Sequence, residues 1–340
     1  MKLAIDVMGG DYSPQVPVES ALALAGARQD VDWILFGNEA QIREYTANRP
    51  LSNVEIVHSS EEIEAGEEPV RAVRKKRLSS LVLAATAVRD GRADAMVSAG
   101  NTGALVAAGL LVLGRLTGIE RPALAPVLPT FAGTGVLLLD AGATMDASVK
   151  NLIQYAHMGT TYSRYVLGVK EPRVGLLNVG TEPGKGNQLT KETFSLLQAE
   201  TSNFVGNIEA RDLLNGECDV VVCDGFVGNV VLKLVEGVGL GMFSTLKESL
   251  SEASFVSKIG GALLKPELRR FRDRFDYAEY GGAPFLGVGG GCIKAHGSSN
   301  HRAWQTALKQ AIQFCEQDLL AKMKQEISVS APSQSNNNEG

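Results

Sequence analysis

The 340-residue chain has little of several things that usually announce a protein's chemistry. Cysteine occurs four times, at Cys218, Cys223, Cys292 and Cys315, with no CxxC pair. In a chain this long, that reads as reduced thiols in a cytoplasmic compartment and excludes a disulfide scaffold. The opening MKLAIDVMGGD sets Asp6 inside what would be the apolar stretch of a secretory leader, so none is expected. There is no surplus of positive charge: the net value is −5 and the sequence pI near 5.6. That balance argues against a general nucleic-acid binder. One uncharged window, 95–114, has the 20 residues needed to span a bilayer. Ser98, Gly100, Asn101, Thr102 and Gly103 break it, so it reads as a buried strand, a polar loop and a short helix.

Motifs are missing too. No GxSxG elbow offers a serine nucleophile, and no GxGxxG follows an apolar strand. The stretch 180–186 approaches a Walker loop, but is one residue short between glycines and has Gly186 where Ser or Thr would hold magnesium. Cys292, His296 and His301 fall close together without a fourth ligand at zinc spacing, so no metal is expected.

Glycine, by contrast, is abundant: 37 residues, about 11% of the chain against roughly 7% in an average protein. There is no Gly-X-Y period, so collagen is excluded. With 44% hydrophobic residues the chain can bury a substantial core. Short, continuously apolar runs at 3–7, 33–36, 54–57, 93–98, 136–139, 174–179 and 220–223 alternate with helical patterns, most of them ending in glycine. Such runs predict strands covered on both faces, hence an α/β fold with a largely parallel sheet and helices on both sides. The spacing predicts one α/β domain over 1–325, with a helical stretch at about 236–277 interrupted by Gly260, Gly261 and Pro266, and a disordered tail over 326–340. Apolar residues at 255–265 beside Arg269, Arg270, Arg272 and Arg274 suit a plain helical hairpin, a dimer arm or a lipid-facing surface, the dimer arm being favoured.

Ligands of such sheets bind beyond the carboxyl ends of the strands. Four glycine-rich loops carry polar side chains there: MGGD (8–11), SAGNTGA (98–104), GTEPGKGN (180–187) and DGFVGN (224–229). Together they favour an anionic or phosphate-bearing ligand, since glycine lets backbone N–H groups close on an anion at a helix start. Lys185, between two glycines, is either solvated or an anion contact. Asn229 suits a helix N-cap, which requires no catalytic role. His296, in KAHGSS (294–299), contacts a phosphate or carbonyl, or bonds its own loop. RAVRKKR (71–77) is a solvated helix face or a dock for an acidic protein.

AIDVMGGD (4–11), DAMVSAGNTGAL (94–105), GIERPALAP (118–126), GLLNVG (175–180), KGN (185–187), DVVVCDGFVGNVVLK (219–233), YGGAPFLG (280–287) and KAHGSS resemble the bacterial phosphate acyltransferases of the PlsX family. The likeness runs over about 2–320. It implies a fold similar to phosphate acetyltransferases and isopropylmalate dehydrogenases. The activity implied is transfer of a long-chain fatty acyl group from acyl carrier protein to inorganic phosphate, giving acyl phosphate for phospholipid synthesis. It further implies a homodimer in the cytoplasm, peripherally associated with the inner face of the cell membrane, working with a membrane glycerol-3-phosphate acyltransferase. No metal or organic cofactor is implied. On this reading Lys185 and Asn229 are catalytic. Asp6, Gly9, Gly10, Asp11, Ser98, Gly100, Asn101, Thr102, Gly103, Asn187, Asp224, Gly228 and His296 bind phosphate or substrate. Thr144 and Thr181 depart from the family's usual Asn and acidic residue. The alternatives are a short-chain phosphate acyltransferase or dehydrogenase of the same fold group, and a non-catalytic scaffold of lipid-synthesis enzymes.

Overall fold

The computed structural model describes residues 1–46, 52–252, 254–274 and 281–330. In chain order the elements run β1 (Lys2–Asp6), α1 (Gln15–Ala27), β2 (Asp32–Gly37), α2 (Glu39–Thr46), β3 (Val54–His58), α3 (Pro69–Lys75), α4 (Ser80–Arg89), β4 (Ala95–Ser98) and α5 (Thr102–Ala108). Next come β5 (Ala123–Leu124), β6 (Val127–Pro129), β7 (Gly135–Leu139), α6 (Val149–Tyr165), β8 (Val174–Asn178), α7 (Gln188–Glu200), β9 (Phe204–Glu209) and β10 (Val220–Val222). The long helices α8 (Gly225–Glu252) and α9 (Phe255–Arg274) precede β11 (Ala283–Leu286), β12 (Gly291–Lys294), α10 (His301–Glu316) and α11 (Leu319–Ser330). The uncharged window 95–114 is the expected strand, loop and helix, its end wound as a π-turn (Gly109–Leu113).

The strands divide between two sheets. One has the order β3-β2-β1-β4-β12-β11-β5 and the other β6-β7-β10-β8-β9. All pairings around β1, β4, β8 and β10 are parallel, while β5, β6 and β11 add antiparallel pairs at the edges. The chain changes sheet between β5 and β6, at Pro126, which lacks the N–H needed to extend pairing with β11. In the first sheet the chain leaves β1 toward β2 and β3, then returns to the other side of β1 as β4. The loops after β1 and β4 therefore flank a topological switch point, where α/β sheets open a crevice.

Alternate residues of each strand feed different cores, as the apolar runs require. Leu3, Ile5, Trp33 and Leu35 join Leu137, Leu139, Val220 and Val222 in one cluster shared by both sheets. Ala4, Ile34, Phe36 and Met96 face α4 and α5 in a second, and Val136, Leu138 and Val221 form a third. The shared core also holds Tyr155 and Tyr162 of α6 and Trp304 of α10.

Two expectations about the C-terminal third need correction. α9 runs through Gly260, Gly261 and Pro266, with the proline on an exposed stretch where the carbonyl it leaves unpaired can be hydrated. Residues 326–330, expected in the tail, are helical: α11 extends to Ser330 and Ile327 packs on the shared core. Residues 275–277 of the arm and 331–340 of the tail lie outside the described residues.

Candidate active site

Three loops leave adjacent parallel strands of the first sheet, after β1, β4 and β12. Register sets Asp6 and Lys294 on either side of Ser98 in one transverse row. The Asp6 carboxylate is buried and accepts the Ser98 hydroxyl at 2.6 Å and the Met8 amide at 3.2 Å. Burial pushes Asp6 above its ordinary value, against the pull of the Ser80 and Ser98 hydroxyls and the Met8 and Gly9 amides. Ser98 Oγ in turn accepts the Gly100 amide at 3.0 Å. A Cβ on Gly9 would stand 2.3 Å from Gly100 N, so the two loops meet backbone to backbone. Asp11 N donates to Gly297 O at 2.8 Å, which ties in the third loop.

His296 takes the local reading, bonding its own loop: Nδ1 lies 2.8 Å from Ser298 Oγ and accepts the Ser298 amide at 3.3 Å. An accepting Nδ1 puts the imidazole proton on Nε2. Burial lowers the histidine's pKa and favours this neutral ring, with Glu236, Lys294, Lys233 and Asp11 acting on it more weakly. Asn101 caps α5 through Ala104 N at 3.0 Å, and its amide donates to Ala65 O at 2.7 Å. A Cβ on Gly103 would stand 2.6 Å from Pro69 Cγ, so the basic helix α3 starts against this loop. Thr102 is exposed beside it.

The second group leaves β7, β10 and β8. Its centre is Asp140, a fully buried carboxylate that accepts four backbone amides: Leu124, Gly142, Ala143 and Thr144, at 2.6–3.2 Å. Burial pushes it up to about 6 while those amides pull it down. The first turn of α8 rests on it. Gly225 N donates to Thr144 O at 2.9 Å, and a Cβ on Gly228 would stand 1.8 Å from Asp140 O. Asn229 therefore lies over Gly142, its Cγ 3.4 Å from where a Gly142 Cβ would be. Asn229 is not a helix cap. Helix geometry begins at Gly225, and Asp224 takes the capping position by accepting Val227 N at 3.0 Å.

Lys185 is exposed in the β8–α7 loop, its stem over Gly180 and its ammonium 3.9 Å from Glu182. Asn187 caps α7 through Thr190 N at 3.0 Å. Beneath this loop is a cavity of about 500 Å³ lined by Leu177, Asn178, Gly186, Asn187, Asp224 and Val227. Thr144 serves mainly through its backbone, and Thr181 is exposed, so neither departure from the usual residues disturbs these bonds.

Asn229, Lys233 and Glu236 follow helical spacing along one side of α8, and the last two act on His296. α8 thus joins the two loop groups. The structure gathers Asp6, Gly9, Gly10, Asp11, Ser98, Gly100 and His296 at one sheet edge, and Lys185, Asn187, Asp224, Gly228 and Asn229 at the other. Sequence reasoning missed Asp140 and Lys294 as site residues. Each ends an apolar strand immediately before a small-residue loop, the one signal that could have marked them. The thiols do not supply a nucleophile: burial pushes Cys218, Cys292 and Cys315 up to about 12 and Cys223 well above its ordinary value.

The fold, with glycine-lined loops at two sheet edges, is one that solved phosphotransacetylases share. A phosphotransacetylase from Streptococcus pyogenes superposes with a TM-score of 0.61 at 17% identity, covering 93% of this chain and 94% of that one. The EutD phosphotransacetylase of Staphylococcus aureus gives 0.55 at 15%, over 92% and 94%. The sequence model of the family described as "Fatty acid synthesis protein" matches residues 1–322. The "Phosphate acyltransferase" of Bacillus cytotoxicus is 52% identical over 320 residues, 94% of this chain and 96% of that protein. That of Brevibacillus brevis is 52% identical over 327 residues, 96% and 97%. The chain belongs to this family, the phosphate acyltransferases of the PlsX type.

Proposed function

We propose that the chain transfers a long-chain fatty acyl group from acyl carrier protein to inorganic phosphate, forming acyl phosphate for phospholipid synthesis. The observation that carries this reading is the set of amide-rich loops at two sheet edges linked by α8. Hydrogen phosphate is itself a nucleophile and a thioester carbonyl is already activated, so the protein's task is to hold the two together and stabilise an oxyanion. A phosphate oxygen attacks the carbonyl and the C–O bond forms. The C–S bond then breaks, and the phosphate's proton leaves with the carrier's sulfur. The amides around Gly9–Gly10 and Gly100–Gly103 hold phosphate, Lys185 supplies positive charge to the oxyanion, and Asn229 orients the carbonyl.

Acyl carrier protein docks on α3. Arg71, Arg74 and Lys75 are exposed there with Val70, Arg77 and Leu78 are exposed just past its end, and Pro69 abuts the Gly103 loop. The enzyme is a cytoplasmic homodimer, paired through α8, whose Phe226, Val230, Leu234, Val238 and Met242 form an exposed stripe with four-residue spacing. Leu263 and Leu264 of α9, exposed at 77% and 57%, reach the inner face of the membrane, where a glycerol-3-phosphate acyltransferase receives the product. Incubation with long-chain acyl carrier protein and phosphate, with hydroxylamine to trap acyl phosphate, is expected to yield the long-chain hydroxamate. Turnover of short-chain donors alone would replace the donor assignment, and no product from any donor would overturn the reading.

A further inference from the structure

Lys294 ends β12 in the row it shares with Ser98 and Asp6, and is only 8% exposed. Lysine is rarely buried without compensation, because its ammonium loses hydration. Here the ammonium donates to Ala99 O at 3.2 Å and to Ala295 O. These are the first residues of the loops after β4 and β12, so one buried cation fastens both. Loop segments 8–11, 98–103 and 295–299 contain no lysine or arginine, yet Asp6 and Asp11 bring two carboxylates close to them. Lys233 of α8 acts on this loop group through His296, but Lys294 is the cation that acts together with Asp6 and Asp11 at the loop starts.

We propose that Lys294 is the positioning residue and counter-charge of the phosphate loops. It ties the Ala99 and Ala295 carbonyls to one point and so fixes the start of the two loops that follow, and its charge offsets Asp6 and Asp11. This rests on the proposed reaction for the identity of the anion. It also divides the labour between two lysines: Lys294 serves phosphate from the first sheet, and Lys185 serves the acyl carbonyl from the second. The ionisable groups acting on Lys294 are Asp6 from β1 and Asp11 from the loop after it, with His296 two residues further along its own strand exit.

The test is calorimetric titration of the full-length chain with inorganic phosphate, for the parent, Lys294→Gln and Lys294→Met. Glutamine keeps a donor for the carbonyls and removes the charge. Both variants should bind phosphate at least about tenfold more weakly, the scale of one charge-assisted contact, with the KM for the acyl donor within about twofold of the parent. In the parent, phosphate affinity should fall as the ammonium loses its proton, around pH 8, and Lys294→Gln should show no such fall. Phosphate affinity within twofold of the parent in Lys294→Gln would reduce the lysine to a strand tie and overturn the proposal. If neither variant folds, the parent alone decides, because constant phosphate affinity between about pH 7.5 and 9.5 overturns it equally. Calorimetry needs no acyl donor, so failure of the acyl-carrier reading shows separately, as phosphate binding without hydroxamate.

Discussion

Gly228→Ala tests whether the seat of α8 on Asp140 sets the reaction geometry. The added Cβ would stand 1.8 Å from the Asp140 carbonyl oxygen, 2.9 Å from its carbon and 3.0 Å from Cys223 Sγ. The first two are backbone, and Asp140 is held by four amides, so the carbonyl cannot turn away without breaking that nest. Reaching an ordinary 3.4 Å contact therefore moves the helix start by about 1.6 Å. Asn229 follows in the next position and would slide off Gly142. A displacement near 1 Å costs on the order of 100-fold when a reacting group must be aligned, so kcat should fall by at least about that factor. Overpacking of this kind costs about 1–3 kcal/mol of stability, leaving a folded chain. The assays are hydroxamate formation at saturating substrate and a urea melt of the same preparation. Gly26→Ala is the control: this glycine lies in α1 with nothing within 4 Å of its added Cβ. It should keep full activity and gain about 0.5–1 kcal/mol. Activity within threefold of the parent in Gly228→Ala would refute the argument that α8's seat fixes Asn229.

Lys185→Ala and Asn229→Ala should each lower kcat by about 100-fold or more with an unchanged melt, and near-normal rates would remove that residue from the mechanism. Reversing charge at Arg74 and Lys75 should raise the KM for acyl carrier protein and flatten its salt dependence; an unchanged KM returns α3 to an ordinary solvated face. Leu263→Glu with Leu264→Glu should abolish flotation with anionic liposomes, and a variant that still floats would place those leucines elsewhere. Lys294 has a folded-state pKa of about 8, below its ordinary 10.5, so the unfolded chain binds more protons between these values. Its contribution therefore makes the fold more stable as pH rises through that window, by up to about 3 kcal/mol, and Lys294→Met should lose that slope.

The strands and their glycine loops were legible because both follow from local physics. A strand covered on two faces must be continuously apolar, and its exit must turn tightly, as at Val97-Ser98-Ala99-Gly100. What stayed hidden depends on residues far apart in the chain. β12 enters the first sheet beside β4, with Gly291 opposite Ala95, and no local pattern shows that Lys294 will lie next to Ser98. A lysine after an apolar strand looks solvated until its neighbours are known. Asp140 is hidden for the same reason, since its partners include Leu124 of a different sheet. The misplaced cap at Asn229 has a local cause: Gly225 and Gly228 look like loop residues, but they are helical because only glycine fits against Asp140.

Two sheets with one loop group each raise the question of what holds the groups in register. The cleft residues cannot do so alone, because Lys185 is exposed and the side-chain oxygens of Asn101, Asn187 and Asp224 are spent on capping their own helices. The register comes from behind. The core shared by both sheets runs from Leu3 and Ile5 through Trp304 and Tyr162 to Leu139 and Val222. Within it, Gln310 of α10 donates to the Tyr162 hydroxyl of α6 at 2.5 Å, and its carbonyl accepts the Gly282 amide at 3.0 Å. Burial keeps that tyrosine protonated, so the strut is a neutral bond in an apolar setting, where losing one partner leaves the other unsatisfied at about 1–3 kcal/mol. A transferase with no covalent intermediate depends on the distance between two bound reactants. In this fold that distance is set by a packed interior, which resists deformation.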